Sequence, residues 1–424
     1  MSEKLALFGG RRTADAPFPG WPRFSDKSLA GAQEPLRAGR VGYWTGTCGR
    51  SLEAAWAAWC GARRAVSCAN GTAALHLALL ALGIGPGDEV IVPSHTFVAT
   101  PFSVLHAGGV PVFADVTADQ TLDPRAIGAL CTERTRAVIA VHLFGVVCDM
   151  DAVLREARAR GLAVVEDCAQ CAGGEYGGRK AGVLGDAGCF SFHYSKHVSA
   201  AGEGGMVVTD DDAVAEVCRS LRDHGEELEP SSETAMPVAG AAHAAAPGAA
   251  ALLQEIEERS RGRFVRAGFN YRMTEVQAAV ALGELERLES WNLARRIRHA
   301  KTYDHAFSHL TGIQAVPLNT EKRRNAYWRY PLQLDLSRLA CDAGGFRDAL
   351  FAEGIPCGLI PWLESYREPA LKRYAGDGSA SPPCPLAERL DASTVCLLLH
   401  PTWERNHIDM TVSAVKKVLA HYRR

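Results

Sequence analysis

Residues 191–204 read Ser-Phe-His-Tyr-Ser-Lys-His-Val-Ser-Ala-Ala-Gly-Glu-Gly, and this segment carries most of the chain's information about fold and chemistry. Lys196 lies just past a short apolar run that is typical of a β-strand, and a glycine-rich turn, Gly202–Gly205, follows it. Upstream, Asp167 directly follows a second apolar run, Leu162–Glu166. The pattern therefore places a lysine beside one predicted strand end and an aspartate at another.

This pairing is what an enzyme that uses pyridoxal 5′-phosphate (PLP) requires. The lysine forms a Schiff base with the cofactor, and the carboxylate keeps the ring nitrogen protonated so that the ring acts as an electron sink. Lys196 is then expected where burial or a nearby positive charge lowers its pKa. Asp167 is expected to be partly buried and to need a cationic partner. A surface lysine and an ordinary loop carboxylate are the alternatives that these residues leave open.

The composition indicates a globular protein without a nucleic-acid or membrane partner. A length of 424 residues predicts roughly two domains, and a formal net charge of −2 gives no support to binding of polyanions. No apolar run is long enough to span a bilayer. The segment Met1–Pro22 is interrupted by glycines, arginines and prolines, so no signal peptide is predicted and a cytoplasmic location is expected.

The 13 cysteines are scattered along the chain and are expected to remain thiols in a reducing compartment. Only Cys168-Ala169-Gln170-Cys171 has the spacing of a redox or zinc motif. Because a zinc site needs further ligands at matching spacing, and none is evident, no metal is predicted.

Short β-branched runs alternate with helical patterns through the first half of the chain. This alternation predicts an α/β domain with a largely parallel sheet and ligands at the strand ends. The seven predicted strands are Arg64–Cys68, Glu89–Pro93, Val110–Ala114, Ala137–His142, Leu162–Glu166, Gly188–His193 and Gly205–Thr209.

The second half is predicted to hold a connecting helix and a smaller domain. Residues 226–263 are rich in Ala and Pro and are interpreted either as a lid or as a surface insertion without function. A single amphipathic helix is predicted over Thr274–Leu310. A strand near Tyr327–Leu334, a helix at Phe346–Glu353 and a terminal helix from Ile408 follow. The domains are predicted as residues 1–290 and 291–424.

Two further segments suggest cofactor contacts. Asn70-Gly71-Thr72-Ala73-Ala74-Leu75 follows a strand and opens a helix, an arrangement whose backbone N–H groups can bind a phosphate. Phe97 follows the strand Glu89–Pro93 and could lie flat on a cofactor ring. Gln170, one turn beyond Asp167, could donate a hydrogen bond to the ring oxygen. Each of these signals is weak alone.

Taken in order, these motifs resemble the DegT/StrS-type PLP-dependent sugar aminotransferases of fold type I. The resemblance covers nearly the whole chain. The matching motifs are Leu5–Gly10, Asn70–Ala74, Asp88–Pro93, Glu166–Gln170, Ser191–Gly205 and Gly268–Glu275. The resemblance implies an aspartate-aminotransferase-like fold, with a large domain built on a mixed, mostly parallel seven-stranded sheet and a smaller C-terminal α/β domain.

The resemblance also implies a role for each matching residue. Lys196 would carry the Schiff base and Asp167 would pair with the pyridine nitrogen, while Gln170 would contact the ring oxygen and Phe97 would stack on the ring. The phosphate would be held by Gly71, Thr72, Ala73 and Ser191. Asn270 resembles a phosphate ligand that the neighbouring subunit supplies, which implies a homodimer with shared active sites.

The implied reaction is a ping-pong transamination from glutamine or glutamate to a keto-cyclitol or keto-sugar. Lysine at position 196 favours it, since family members that dehydrate deoxysugars have histidine there. Residues 361–367, Pro-Trp-Leu-Glu-Ser-Tyr-Arg, lack a histidine of the sugar-nucleotide enzymes. The chain therefore resembles the inosose aminotransferase and aminohydroxybenzoate synthase branch of antibiotic biosynthesis more closely. A PLP-dependent dehydratase or lyase, a nucleotide-sugar aminotransferase and a non-catalytic binding protein remain alternatives.

Overall fold

The computed structural model describes residues 3–227, 263–314, 316, 318–359, 365–374 and 383–424. Most of the Ala/Pro-rich segment interpreted as a lid or insertion, and residues 361–364 of the segment that lacks the histidine, lie outside these ranges. Within them, no helix is long and apolar enough to cross a membrane.

A seven-stranded sheet with strand order β1-β9-β8-β5-β4-β2-β3 forms the centre of the chain. Strands β3, β2, β4, β5 and β8 run parallel, whereas β9 is antiparallel to both of its neighbours, β8 and β1. This confirms the predicted mixed, mostly parallel sheet. Its strands are β1 Arg64–Cys68, β2 Glu89–Pro93, β3 Val110–Ala114, β4 Thr135–Val141, β5 Ala163–Asp167, β8 Ala187–Ser191 and β9 Gly205–Thr209.

Helices cover the sheet on both faces, because its strands are apolar on both faces and must be buried on both. Two clusters of buried side chains lie on the two sides: one around Trp56, Ile91 and Phe190, the other around Leu75, Val92 and Phe113. The helices of this part are α1 Asp26–Ala38, α2 Cys48–Cys60, α3 Gly71–Ala81, α4 Ala99–His106, α5 Pro124–Leu130, α6 Met150–Arg158, α7 Asp212–Arg222 and α8 Glu275–Leu285.

The prediction of one continuous helix over Thr274–Leu310 is wrong, because the helix is interrupted. Thr274 does cap the first piece, with its hydroxyl accepting from the Gln277 N–H. Helix α8 then ends at Leu285, a π-helical segment follows at Leu288–Leu293, and α9 covers Ala294–Phe307. The apolar spacing continues across the break, so the sequence pattern did not reveal it.

A second, three-stranded sheet lies in the C-terminal part, in the order β11-β13-β12. It packs with α9, α10 and α12 around Tyr303, Phe346 and Trp403. Leu5 and Ala14 of the N-terminal segment belong to the same core, and the domain division at residue 290 stays a prediction. The elements are β11 Arg329–Gln333, α10 Ala343–Ala352, β12 Cys357–Gly358, α11 Pro385–Ser393, β13 Thr394–Leu398 and α12 Arg405–Tyr422. The short strands β6 Glu175–Tyr176, β7 Arg179–Lys180 and β10 Arg323–Arg324 form a third sheet.

Candidate active site

The loop after β8 holds Lys196 in a fixed position. The Tyr194 N–H donates to the Gly202 carbonyl at 2.9 Å, and the Lys196 N–H donates to the His193 carbonyl at 2.9 Å. Gly202 adopts φ 134°, a conformation that favours glycine, so the turn predicted from the glycines is needed to close this loop. The loop is tied to distant parts of the chain through its carbonyls: Lys196 O accepts from Trp21 Nε1 at 3.0 Å.

The Lys196 amine lies against an aromatic ring. Its Nζ is 4.1 Å from the centre of the Trp328 indole, and the indole Nε1 donates to the Ser195 carbonyl at 2.7 Å. Burial lowers the pKa of Lys196 to about 8; the positive charge of Arg329 also lowers it, and the Asp167 carboxylate opposes the shift. Because only the deprotonated amine is a nucleophile, the lowered pKa increases the fraction of Lys196 that can react.

The lowered pKa predicts how capture of PLP depends on pH. Below pH 8 Lys196 is mostly protonated and cannot attack an aldehyde, so the rate constant for PLP binding to the cofactor-free protein should rise with pH and level off above about 8. An unperturbed lysine, with a pKa of about 10.4, would give a rate that still rises steeply at pH 9. Stopped-flow absorbance measures this rate, and continued rise beyond about pH 9.5 would contradict the assignment.

Asp167 ends β5 and is buried. Its Oδ2 accepts from the Thr100 hydroxyl at 2.8 Å, and its Oδ1 accepts from the Ala169 N–H at 3.0 Å. Thr100 is in turn 2.8 Å from the Thr96 hydroxyl. Burial raises the pKa of Asp167, while the two hydrogen bonds and the charge of Lys196 lower it. The carboxylate is thus oriented by neutral donors in a desolvated position where a cation stabilises its ionised form.

Gln170 and Phe97 lie on the loops that follow β5 and β2. Gln170 is buried, and its Oε1 accepts from the Phe144 N–H at 2.8 Å, so the side-chain NH₂ group is the part that can donate to a ligand. Phe97 precedes α4 and is 46% exposed, as a ring that stacks on a bound ligand would be before binding. Their contacts with the cofactor stay predictions.

The start of α3 forms a compact turn against the end of β8. The Asn70 side chain caps the helix by accepting from the Ala73 N–H at 2.8 Å. The N–H groups of Gly71 and Thr72 have no intrahelical acceptor because they belong to the first turn. They are therefore the better backbone donors for a phosphate, and the predicted role of Ala73 is weakened because its N–H is already bonded. Ser191 lies beside this turn.

We expect replacement of Gly71 by alanine to weaken cofactor binding. A Cβ at position 71 would lie 2.8 Å from the Ser191 Cβ and 3.4 Å from its Cα, so either Ser191 or the helix start must move. The expected result is an increase in the PLP dissociation constant of about tenfold or more, by loss of one or two charge-assisted hydrogen bonds. Fluorescence titration of cofactor-free protein measures it, with Gly85→Ala as the control, because a Cβ at position 85 would meet open space and the backbone there has no positive φ.

Asn270 is not brought together with the other predicted residues. It is exposed and forms an isolated antiparallel bridge with Asp223, just past the end of α7. The neighbouring Tyr271 hydroxyl is 3.3 Å from His76 Nδ1 on α3. Contribution of Asn270 to the site of a partner subunit therefore stays a prediction.

Three residues near the site were not predicted: Thr100, Trp328 and Arg329. The predicted strand near Tyr327–Leu334 includes Trp328, but its pattern gives no sign of a contact with Lys196. It reaches Lys196 because the chain crosses close to Gly145, where a Cβ would be 2.8 Å from the Trp328 N. The Trp328 N–H donates to the Phe144 carbonyl at 2.7 Å. The nearby Arg323 forms an ion pair with Asp119, and Arg324 forms ion pairs with Glu175 and Glu289.

Among the described residues, His142, Glu166 and Cys168 are a buried trio with the ligand types of a metal site. The polar side-chain atoms of His142 and Glu166 already have partners: Glu166 accepts from His142 Nε2 at 3.0 Å and from the N–H groups of Gly182, Leu184 and Gly185. His142 Nδ1 accepts from the Cys148 N–H at 3.1 Å. These bonds tie the end of β5 to the loop that precedes β8. Burial also raises the pKa of the Cys168 and Cys171 thiols.

The chain is similar to several known proteins. The GDP-perosamine synthase of Caulobacter vibrioides is 39% identical over 295 residues, which are 69% of this chain and 71% of that protein. The L-glutamine:scyllo-inosose aminotransferase of Streptomyces griseus is 38% identical over 367 residues, 83% of this chain and 80% of that enzyme. The X-ray structure of the aminotransferase from Psychrobacter cryohalolentis has a TM-score of 0.82 at 30% identity and covers 96% of this chain and 100% of its own.

The sheet topology and these structural neighbours define a protein with the fold of the PLP-dependent aminotransferases. Residues 26–416 match the DegT/DnrJ/EryC1/StrS aminotransferase family, and the chain belongs to it. Enzymes of this family depend on PLP, and the relatives include sugar aminotransferases.

The residues of this chain fit that cofactor. Asp167 is buried and hydrogen-bonded by Thr100 and Ala169, which are both neutral donors, so a protonated ring nitrogen would supply the cation that the carboxylate lacks. The backbone at Gly71 leaves no room for a Cβ beside Ser191, which keeps the first-turn N–H groups accessible. The Lys196 amine is readily neutral, as attack on an aldehyde requires.

Proposed function

We propose that this chain transfers an amino group from glutamine or glutamate to a keto-cyclitol or keto-sugar of secondary metabolism by a ping-pong mechanism. The observation that carries the proposal is the pairing of Lys196, with its lowered pKa and its Nζ against Trp328, with the buried Asp167 at the end of the adjoining strand β5. A structural lysine or a loop carboxylate has no need for this combination of burial and charge.

Each predicted residue has a distinct task in this proposal. PLP, when bound, would supply an electron sink and an aldehyde group able to accept an amino group. Lys196 moves the proton at the substrate carbon as general acid and base. Asp167, held by Thr100, keeps a ring nitrogen protonated, and the Gln170 amide donates to the ring oxygen. The Gly71 and Thr72 N–H groups, together with Ser191, bind the phosphate.

A keto-cyclitol is our first choice of acceptor. This choice rests on residues 361–367, which lack the histidine of the sugar-nucleotide enzymes. The scyllo-inosose enzyme is 38% identical in an alignment of 367 residues, and two nucleotide-sugar enzymes are 39% identical over 295 residues and 36% identical over 377 residues. The similar identities of 38% and 39% make a nucleotide-linked keto-sugar the second candidate. The two acceptors differ in charge, since only the nucleotide sugar carries a diphosphate.

The test begins with the absorbance spectrum of PLP-loaded protein before and after addition of L-glutamine or L-glutamate. The proposal expects the band of the lysine-bound cofactor to be replaced by that of the pyridoxamine form. The aminated protein is then given scyllo-inosose or a nucleotide-linked keto-sugar, and products are detected by mass spectrometry. Amination of either ketone identifies the acceptor class. Loss of water without gain of nitrogen would instead support the dehydratase alternative, and no spectral change with any donor would contradict amino transfer.

A homodimer with shared sites predicts complementation between inactive variants. If Asn270 binds the phosphate in the partner's site, a mixed dimer of Lys196→Ala and Asn270→Ala chains contains one intact site. Mixing and refolding the two variants should restore about a quarter of wild-type activity, because about half of the dimers are mixed and each has one working site. Activity no higher than the sum of the separate variants would contradict a shared site.

A further inference from the structure

Arg329 lies beside the candidate nucleophile. It is the first residue of β11, and its Cζ is 4.4 Å from the centre of the Trp328 indole, the same ring that lies 4.1 Å from Lys196 Nζ. The side chain is half-buried, and its positive charge is felt at Lys196. Two cationic groups therefore lie against the same indole ring.

This arginine has no anionic partner among the residues that the structure describes. The titratable groups that act on it or respond to its charge are Tyr194, Cys396, His400 and Lys196, none of which is a carboxylate. Burial lowers the pKa of Arg329. A half-buried cation without a counter-ion is unfavourable unless a ligand supplies the anion.

Three other arginines with buried or mostly buried side chains have hydrogen-bond partners within the protein. Arg222 donates to Glu53 at 2.6 Å, and Arg323 donates to Asp119 at 2.5 Å. Arg296 donates to the Asn292 side chain at 2.7 Å and to the Trp328 carbonyl at 3.0 Å. Arg296 has no carboxylate partner either, but its guanidinium is hydrogen-bonded to an amide and to a carbonyl oxygen. The Arg329 guanidinium has no hydrogen bond to the residues that the structure describes, so its donors are available to a molecule that enters the site.

We propose that Arg329 binds the α-carboxylate of the amino donor; this inference rests on the proposed function. The α-carboxylate is bonded directly to the carbon whose proton Lys196 moves, so it must lie within a few ångströms of the lysine. A planar guanidinium matches a carboxylate with two parallel hydrogen bonds. The diphosphate of a nucleotide sugar is separated from the reacting ketone by several bonds of the sugar. The side chain of glutamine has no charge, and the side-chain carboxylate of glutamate lies two methylene groups further from the reacting carbon than the α-carboxylate does.

The test compares Arg329→Gln with Arg329→Lys, using L-glutamine and isoglutamine as donors. Isoglutamine carries an amide in place of the α-carboxylate, and its side chain ends in a carboxylate in place of the amide of glutamine. In single-turnover absorbance measurements, Arg329→Gln should lower kcat/KM for L-glutamine about 50-fold, the effect of losing hydrogen bonds to a charged group, and leave isoglutamine nearly unchanged. Arg329→Lys should recover part of the loss. Arg324→Gln, which removes a surface ion pair with Glu175, is the matched control and should behave as wild type.

A binding measurement separates the role of Arg329 from the chemical step. α-Methyl-L-glutamate has no proton on its α-carbon and cannot be transaminated, so spectral titration gives its dissociation constant. Arg329→Gln should raise this constant about as much as it lowers kcat/KM for L-glutamine. An unchanged dissociation constant would overturn the proposal even if activity fell. If the wild-type protein turns over neither donor, the proposed function is contradicted. The titration still shows in that case whether Arg329 binds the α-carboxylate.

The second half-reaction distinguishes donor from acceptor. Protein loaded with pyridoxamine phosphate is mixed with the ketone identified above, and the proposal expects Arg329→Gln to react at the wild-type rate, because neither a cyclitol nor a sugar ring carries an α-carboxylate. A selective loss of reaction with a nucleotide-linked ketone, with donor kinetics unchanged, would overturn the proposal and assign Arg329 to the diphosphate.

Discussion

Replacement of Lys196 by alanine is expected to lower the rate of amino transfer by at least ~10³-fold, because it removes both the group that binds the cofactor covalently and the general acid and base. The lysine-bound absorption band should be absent. The residual band should be that of PLP bound through the phosphate and Asp167 contacts alone. Product formation from L-glutamine and the chosen ketone measures the rate, and visible absorbance reports the band.

The matched control is Lys322→Ala, which removes an exposed lysine ion-paired with Asp151 on the surface. It should leave the rate and the band unchanged. Retention of more than roughly a tenth of wild-type activity by Lys196→Ala would exclude the lysine as the nucleophile, given the size of covalent and acid–base contributions. A cellular phenotype that survives Lys196→Ala unchanged would favour the non-catalytic alternative instead.

The central sheet could be predicted because its strands are short apolar runs separated by helices. Strands β1, β2, β3 and β9 have the predicted bounds, and β2 and β9 are buried along their whole length. A parallel sheet that is covered on both faces selects such runs. Lys196 and Asp167 could be predicted for the same reason, since both lie just where an apolar run stops.

The contribution of the C-terminal part to the site could not be predicted in this way. Trp328 is 133 residues from Ser195, whose carbonyl it binds, and no local pattern reports that contact. The close approach of Trp328 to the Lys196 loop depends on Gly145 and on Tyr327. Tyr327 adopts φ 52°, a conformation that is rare outside glycine. Thr100 was missed for a different reason, because a threonine near the start of a helix is common and its bond to Asp167 is visible only in three dimensions.

Replacement of Asp167 by asparagine is the other change with a large expected effect. The amide has nearly the same shape: its oxygen can still accept from the Ala169 N–H, and its NH₂ group, in the place of Oδ2, can donate to the Thr100 hydroxyl. It has no negative charge to hold a ring nitrogen protonated. The electron sink is then weaker, and kcat should fall about 10²–10³-fold, as for loss of one electrostatic stabiliser in other active sites. Steady-state kinetics at saturating donor and ketone measures this fall.

The charge and the orientation of Asp167 can be tested separately. Thr100→Val keeps the charge and removes one hydrogen bond, so its kcat should fall only about tenfold, in line with one hydrogen bond to a charged group. Asp167 also opposes the lowering of the Lys196 pKa, so Asp167→Asn should move the pH midpoint of PLP capture below 8, whereas Thr100→Val should not. Equal losses of kcat in both variants, with no difference in the pH midpoint, would show that Asp167 acts through its shape and not through its charge.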